Sequence, residues 1–266
     1  MPDPDHTRLL DALAGRLREL APALLAVSGG LDSRLLAFLA RSRGLDYETV
    51  LFRGPHLSRT DTGRAALWLG RLGLPFHAAD ARVLDLPEVA GNTRERCYAC
   101  KRELFTLARS LAGARTLADG TNADDAASFR PGIRALRELG VRSPYAELGV
   151  TKDQVRSLAA AVGLDDPQQP SRPCLLTRLA YGLRPDADTL ERLAQAEDRL
   201  AALGLERFRL RIPGPGACAL QIDAREKPLH ASLAQEIDAF LARSGFTPYA
   251  IIWSENVSGL YDEQGG

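Results

Sequence analysis

Residues 26–40 read AVSGGLDSRLLAFLA. An apolar strand runs into Ser28, Gly29 and Gly30, and Asp32 and Ser33 then open an amphipathic helix. Two glycines, two hydroxyls and a carboxylate at the end of a strand have the composition of an anion site. Glycine lets the backbone come close to a phosphate. The N–H groups of the first helical turn point at the anion, and the helix dipole favours negative charge. Ser28 and Ser33 add hydroxyl donors. Asp32 cannot bind phosphate directly; in this position it would hold Mg²⁺ or cap the helix. The stretch is neither a GxxxxGK[ST] loop nor a GxGxxG fingerprint. A glycine-rich turn with a polar cap is the bland alternative, and the full S-G-G-x-D-S pattern after an apolar strand goes beyond it.

Working outward, ALLAVS (23–28) is a buried strand and 32–43 the helix it feeds. Leu9, Leu10, Leu13, Leu17 and Leu20 recur on one face of a helix over 7–20. Further strands are expected at 47–53, 75–80 and 115–122, with helices at 60–73, 102–114 and 134–140. Thr151 and Gln154 form a capping box for a helix over 152–163. This alternation predicts an α/β fold with a parallel sheet and helices on both faces. In such sheets ligands bind beyond the carboxyl ends of the strands. The pattern changes after residues 182–189 to helix (188–203), strands RFRLRI and CALQID, helix (229–243) and strand (248–253). The expected organisation is therefore a main domain over 1–184 and a small C-terminal α+β domain over 185–266, with the tail DEQGG frayed.

The 266 residues carry a formal net charge of zero, which argues against a broad nucleic-acid surface. No apolar run reaches the roughly 18 residues of a membrane span, and the N-terminus has no signal-peptide core. A cytoplasmic location with reduced thiols is expected.

There are four cysteines: Cys97, Cys100, Cys174 and Cys218. Cys97 and Cys100 stand at the head of a helix, where a Cys-x-x-Cys pair aims both sulfurs at one point. Arg94, Arg96, Lys101 and Arg102 flank the pair and would favour thiolate. Cys174 comes from another loop, PSRPCLLTRLAYG (170–182). Three thiolates leave one position of a tetrahedral metal site open, and they also suit a 4Fe–4S cluster with one free iron. Packing residues, a structural zinc pair or a reversible disulfide are the alternatives for Cys97 and Cys100. Cys218 alternates with Leu220 and Ile222 and reads as core of the second domain.

The S-G-G-x-D-S loop resembles that of the PP-loop ATP pyrophosphatase family, whose members split ATP between the α and β phosphates and adenylate a substrate oxygen. LADGTNADD (117–125) is similar to the family's second nucleotide loop, which puts Gly120, Thr121, Asn122 and Asp125 near the ribose and the adenylated group. RCYACKRELF, the block from Gly120 to Arg178 and PSRPCLLTR are closer still to the LarE-type sulfur transferases of nickel-pincer nucleotide cofactor synthesis. That resemblance runs in order from Ser28 to the Arg-x-Arg of the C-terminal domain. It implies the adenine nucleotide alpha-hydrolase-like PP-loop fold, with ATP and Mg²⁺ as requirements. The implied reaction is adenylation of a carboxylate of a pyridinium biscarboxylic acid mononucleotide, then conversion to a thiocarboxylate. In some members the cysteine matching Cys174 surrenders its own sulfur; others carry three cysteines and a 4Fe–4S cluster. Cys97, Cys100 and Cys174 fit the three-cysteine subtype and should converge near the Ser28 loop.

Arg209 and Arg211 in RFRLRI share one strand face, suiting forked hydrogen bonds to a nucleotide phosphate. In the family this stretch matches a phosphate-binding Arg-x-Arg; Pro213 and Gly214 stand where a His often follows, and Thr177 replaces a more usual Ser. Arg178 would neutralise the adenylate or the substrate carboxylate, and Arg130 is a weaker candidate of the same kind. The implied partners are a small-molecule nucleotide, sulfide or a cysteine desulfurase as sulfur donor, and further copies of the chain in a symmetric oligomer such as a hexamer. A tRNA thiolase of the same superfamily, an amide-forming PP-loop ligase with structural cysteines and a catalytically dead nucleotide-binding module are the rival readings.

Overall fold

Strand β1 (Ala23–Ala26) is apolar throughout, and its side chains divide between two cores. Ala23 and Leu25 pack with Leu13, Leu35, Leu36 and Leu158 on one face of the sheet, while Leu24 packs with Val50, Phe105, Leu117 and Leu136 on the other. This is the period-two alternation of a strand covered on both faces. The structure, a computed structural model, describes residues 4–127, 131–257 and 260–263. Arg130 and the last three residues of the tail lie outside them.

Strands β2 (Tyr47–Arg53), β3 (Phe76–Asp80) and β4 (Thr116–Ala118) complete a four-stranded sheet in the order β3-β2-β1-β4. All its pairings are parallel, with Ala23 opposite both Tyr47 and Thr116. Helices Pro4–Leu20, Leu31–Ser42 and Lys152–Ala161 supply the first core; Arg96–Ala112 and Pro131–Glu138 supply the second. The fold is the α/β class expected, with a parallel sheet flanked by helices. β1 ends at the Ser28 loop and β4 at the Gly120 loop, so two adjacent parallel strands deliver the two candidate nucleotide loops to one end of the sheet.

A second sheet has the order β5-β6-β7: β5 (Phe208–Arg211), β6 (Cys218–Asp223) and β7 (Tyr249–Ser254). β5 and β6 are antiparallel; β6 and β7 are parallel, joined by the crossover helix Lys227–Arg243. The chain divides into two compact units, and the division is not sequential. Residues 55–58 and 84–96 group with 172–266 in the second unit. Residues 172–184, including the Cys174 loop, thus belong with the second sheet, whereas the sequence pattern drew its line after 184. The short helices Ala123–Ala127 and Pro144–Glu147 and the 3-10 turn Leu175–Arg178 lie in stretches read as loops. The helix expected from residue 102 begins at Arg96 and so includes both Cys97 and Cys100. Among the described residues no helix is long and apolar enough to cross a membrane.

The capping box at Thr151 is present in both directions: its hydroxyl accepts the Gln154 N–H, and the Gln154 side chain accepts the Thr151 N–H. This cap fixes the start of a helix that buries Val155, Leu158 and Ala159. Thr151→Ala is expected to cost about 1 kcal/mol, and Thr151→Ser much less. Chemical denaturation of both variants checks this; equal loss in both would take the cap out of the explanation.

Candidate functional site

In the first unit the loop after β1 is shaped by two close approaches. Gly29 has φ +81°, and a Cβ there would lie 2.8 Å from the Ala65 Cβ. A side chain is therefore excluded by conformation and by space. Gly30 caps helix Leu31–Ser42 without a side-chain hydrogen bond, so no cap side chain meets the first-turn N–H groups. Gly120 presses on that same helix end: a Cβ on it would sit 3.0 Å from the Ser33 nitrogen. The loop is tied internally. Ser33 Oγ donates to the Gly30 carbonyl (3.0 Å) and accepts the Ser28 N–H (3.2 Å), while the Gly30 N–H donates to Ser28 Oγ (3.3 Å).

Asp32 does not cap the helix; it lies in the first turn as a hub between loops. Its carboxylate pairs with the Lys152 ammonium and accepts the Asn122 amide at 3.4 Å. Its carbonyl accepts the buried Tyr145 hydroxyl at 3.1 Å. Burial and the Asp32 charge push the Tyr145 phenol well above its ordinary range, so it acts as a neutral donor. In the second loop, Asp119 accepts the Thr121 hydroxyl and the Ser143 hydroxyl, each at 2.6 Å. Asn122 Oδ1 accepts the Asp125 N–H at 3.0 Å and so starts helix Ala123–Ala127. Gln169 donates to the Gly29 carbonyl (3.4 Å) and accepts from Arg34 (3.1 Å). Ser28, Gly29, Gly30, Asp32, Ser33, Gly120, Thr121, Asn122 and Asp125 thus all lie within one unit, with Asn122 and Gly120 in reach of the Ser28–Ser33 loop.

Cys97 and Cys100 stand three residues apart on helix Arg96–Ala112 and share a face; Cys97 is half-buried and Cys100 buried. Two of the flanking arginines do not serve the thiols. Arg96 donates to Asn92 Oδ1 (2.6 Å), and both Arg96 and Arg94 lie over the Tyr181 ring, because stacking and a buried amide acceptor satisfy a guanidinium better than a neighbouring thiol. Lys101 faces Asp119 at 4.0 Å. The four cysteines form no disulfide, and among the described residues no three of His, Cys, Asp and Glu stand together as a metal cage. Cys97 and Cys100 belong to the first unit and Cys174 to the second.

In the second unit Cys174 is half-buried at the N-cap of the turn Leu175–Arg178. Its carbonyl accepts the Thr177 N–H (3.1 Å) and the Thr177 hydroxyl (2.8 Å). Arg178 was expected to face a substrate carboxylate. It is instead buried in a fork with Glu197, Nε to Oε1 at 2.9 Å and Nη2 to Oε2 at 2.7 Å. Its remaining nitrogen donates to Thr177 Oγ1 (2.9 Å) and the Pro173 carbonyl (3.1 Å). A desolvated guanidinium requires such a partner, so Arg178 shapes the cysteine loop.

Glu197 Oε1 also accepts the Leu210 N–H of β5 at 2.9 Å. Burial alone would raise this carboxyl, but Arg178, with Arg209 beyond it, holds it below its ordinary value. Arg209 and Arg211 are 6% and 3% exposed, far from the solvated strand face that was the bland alternative. Burial, then the charge of Arg178, brings Arg209 down to about 10, which leaves it a cation at neutral pH; Arg211 and Arg172 push the same way, and Glu197 opposes them. Arg211 donates to Gln221 Oε1 (2.9 Å), the Thr177 carbonyl (2.5 Å) and the Val257 carbonyl (2.7 Å), all neutral acceptors. Cys218, expected in the core, is half-buried at the start of β6. It lines a cavity of about 410 Å³ that Arg184 and Arg192 also reach; burial raises its thiol to about 11.

No family model matches the chain. It is 35% identical over 197 residues to an uncharacterized protein of Synechocystis, slr1717, covering 73% of this chain and 74% of that protein. It is 28% identical over 180 residues to an uncharacterized protein of Methanocaldococcus jannaschii, MJ0830, covering 66% and 68%. It is 28% identical over 204 residues to the pyridinium-3,5-bisthiocarboxylic acid mononucleotide synthase of Lactiplantibacillus plantarum, a LarE protein, covering 75% and 74%. The chain is thus similar to that synthase, in keeping with the LarE-type resemblance of its sequence.

Several residues of this site escaped the sequence reading. Glu197 had a signal: it occupies the apolar stripe Leu190, Leu193, Ala194, Leu200 of helix Ala187–Ala202, where an acid is out of place without a partner. Lys152 had a weaker one, a cation at the N-terminus of a helix, against the dipole. Tyr145 and Gln169 had none, because their partners are distant in sequence; Asp119 has a near partner in Thr121 and a distant one in Ser143. The depressed Glu197 carboxyl stabilises the fold fully above its ordinary value of 4.5, and this contribution fades as pH falls below it. Glu197→Gln, which leaves Arg178 buried without a counter-charge, is expected to cost about 3–5 kcal/mol at neutral pH. Urea denaturation at several pH values should show the gap to wild type narrowing in acid; a gap independent of pH would contradict the ion-pair account.

Proposed function

We propose that the chain is an ATP-dependent sulfur transferase acting on a pyridinium biscarboxylic acid mononucleotide. The substrate carboxylate attacks the α-phosphorus of ATP, giving an acyl adenylate and pyrophosphate. Sulfur then displaces AMP and leaves a thiocarboxylate. What carries this reading is the loop Ser28–Ser33: a helix N-terminus without a cap side chain, approached closely by two glycines that a Cβ would obstruct, in a chain with a synthase of that name among its relatives.

In this reading Ser28, Gly29, Gly30 and Ser33 hold the phosphates. Asp32 holds Mg²⁺ after yielding its Lys152 contact, and Lys152 then turns to the phosphates. Gly120, Thr121, Asn122 and Asp125 border the ribose and the adenylated carboxylate. The positive charge of Arg172, Arg178 and Arg211 around Arg209 favours an anion at β5, the substrate's phosphate. Cys174 presents sulfur from a backbone that Arg178 and Thr177 hold still. The donor chemistry of Cys97, Cys100 and Cys174 fits a 4Fe–4S cluster, which when bound supplies sulfide-binding iron; a sacrificial Cys174 is the variant that needs the other two thiols for nothing.

Ser28→Ala and Asp32→Asn, in folded protein, are expected to abolish pyrophosphate release from ATP plus the mononucleotide. Normal release from both would remove ATP from the reaction. Arg209→Ala is expected to weaken the mononucleotide by roughly 1.5–3 kcal/mol, the worth of one charge-assisted contact, while sparing ATP. Isothermal titration with each ligand separately checks this, and equal loss for both ligands would place Arg209 in the scaffold instead.

A further inference from the structure

The sheet of the second unit ends on an apolar edge. β6 has a strand on each side, whereas β7 has one only on its β6 side among the described residues. The six residues of β7, YAIIWS, include no charge and no proline. Outside its pairing with β6, no backbone hydrogen bond joins β7 to another described segment. Such a row of N–H and C=O groups is a template for a further strand, and proteins commonly blunt it with a lysine, a proline or a bulge in the strand itself. β7 has none of these.

The side chains show what the edge is missing. The strand pairing puts Leu210, Leu220 and Ile251 in one row across the sheet, and Phe208, Ile222 and Trp253 in the next. The β5 and β6 members of both rows are buried, but Ile251 is 41% exposed and Trp253 37%. The apolar layer therefore runs past its own cover at the last strand. Helix Lys227–Arg243 lies on this face. The Tyr249 hydroxyl donates to Asp238 at 2.5 Å. The Trp253 ring meets His230 edge to face, and the Lys227 ammonium lies 5.3 Å from its centre. Tyr249, Ile251 and Trp253 alternate along the strand and so share the face. The helix thus sets an exposed anion beside one end of this apolar row and an exposed cation beside the other.

We propose that β7 pairs antiparallel with β7 of a second copy of the chain, about a two-fold axis at Ile251. Antiparallel pairing of one edge with itself is isologous. In this register Ile251 faces Ile251, and Tyr249 of each copy faces Trp253 of the other. Asp238 stands at the Tyr249 end and Lys227 at the Trp253 end, so each Lys227 comes beside the other copy's Asp238. The charges match twice. The row Leu210–Leu220–Ile251 continues into its own repeat, and three strands from each copy make one six-stranded sheet. β5, with Arg209 and Arg211, stays at both outer edges of that sheet. Each copy has one β7, so the contact closes at two chains. The proposal does not depend on the reaction assigned above.

Sedimentation velocity and light scattering of the full chain test it. Wild type is expected to assemble as an even number of copies. Ile251→Asp, which sets two carboxylates face to face at the axis, is expected to halve that number while the circular dichroism spectrum stays unchanged. The paired charges give a second measurement on exposed side chains. Lys227→Glu and Asp238→Lys are each expected to weaken the contact roughly tenfold, and the double variant to recover it. A monomeric wild type would leave the edge to a different protein and overturns the proposal. So does an assembly that survives Ile251→Asp, or a double reversal no tighter than either single one. If Ile251→Asp does not fold, the charge reversals decide alone.

Discussion

The helix Leu31–Ser42 begins in a space that only glycine can share. Gly29 runs its backbone against Ala65, and Gly120 brings the next strand's loop against the Ser33 nitrogen. The first sets the spacing between the β1 loop and helix Arg59–Leu72, the second that between the loops after β1 and β4. Asp32 then takes the role of crosslink: Lys152 reaches it from one helix, Asn122 from the β4 loop and Tyr145 from a buried turn. The crosslink is itself half-exposed and ionic, whereas the glycine contacts are steric. The loop's shape survives a change of charge state at Asp32, but not a methyl group at Gly29.

The second unit solves a different problem, the burial of several guanidiniums. Arg178 is paired with the carboxylate of Glu197, which also fastens β5 through Leu210. Arg211 is held by carbonyls and by Gln221. The Thr177 carbonyl is one of these acceptors, so the turn that bears Cys174 and the strand that bears the arginines are a single hydrogen-bonded object. Movement of an anion at β5 would be felt at the cysteine turn through that bond.

Periodicity made the first sheet legible. Four apolar strands separated by amphipathic helices admit few arrangements, and a glycine-rich strand end marks the ligand edge in most of them. The capping box at Thr151 was legible because both of its partners lie within one turn. What the sequence hid is whatever depends on long-range pairing. Arg178 stands four residues from Cys174 and invited a role in chemistry; the acid in the apolar stripe of helix Ala187–Ala202 marked Glu197 as needing a partner, but not which one. Arg94 and Arg96 were adjacent to the thiols in sequence and turned to Tyr181 in space.

The second unit draws Pro55–Ser58 and Leu84–Arg96 from the first third of the chain. On the ribosome those two segments emerge long before the strands they join. No single cut separates the units, so limited proteolysis in either linker would leave a fragment lacking part of its own interior. The arrangement makes assembly of the cysteine-bearing unit a late, non-local event in the life of the nascent chain. Both early segments lie in connections that follow strands of the first sheet, β2 and β3.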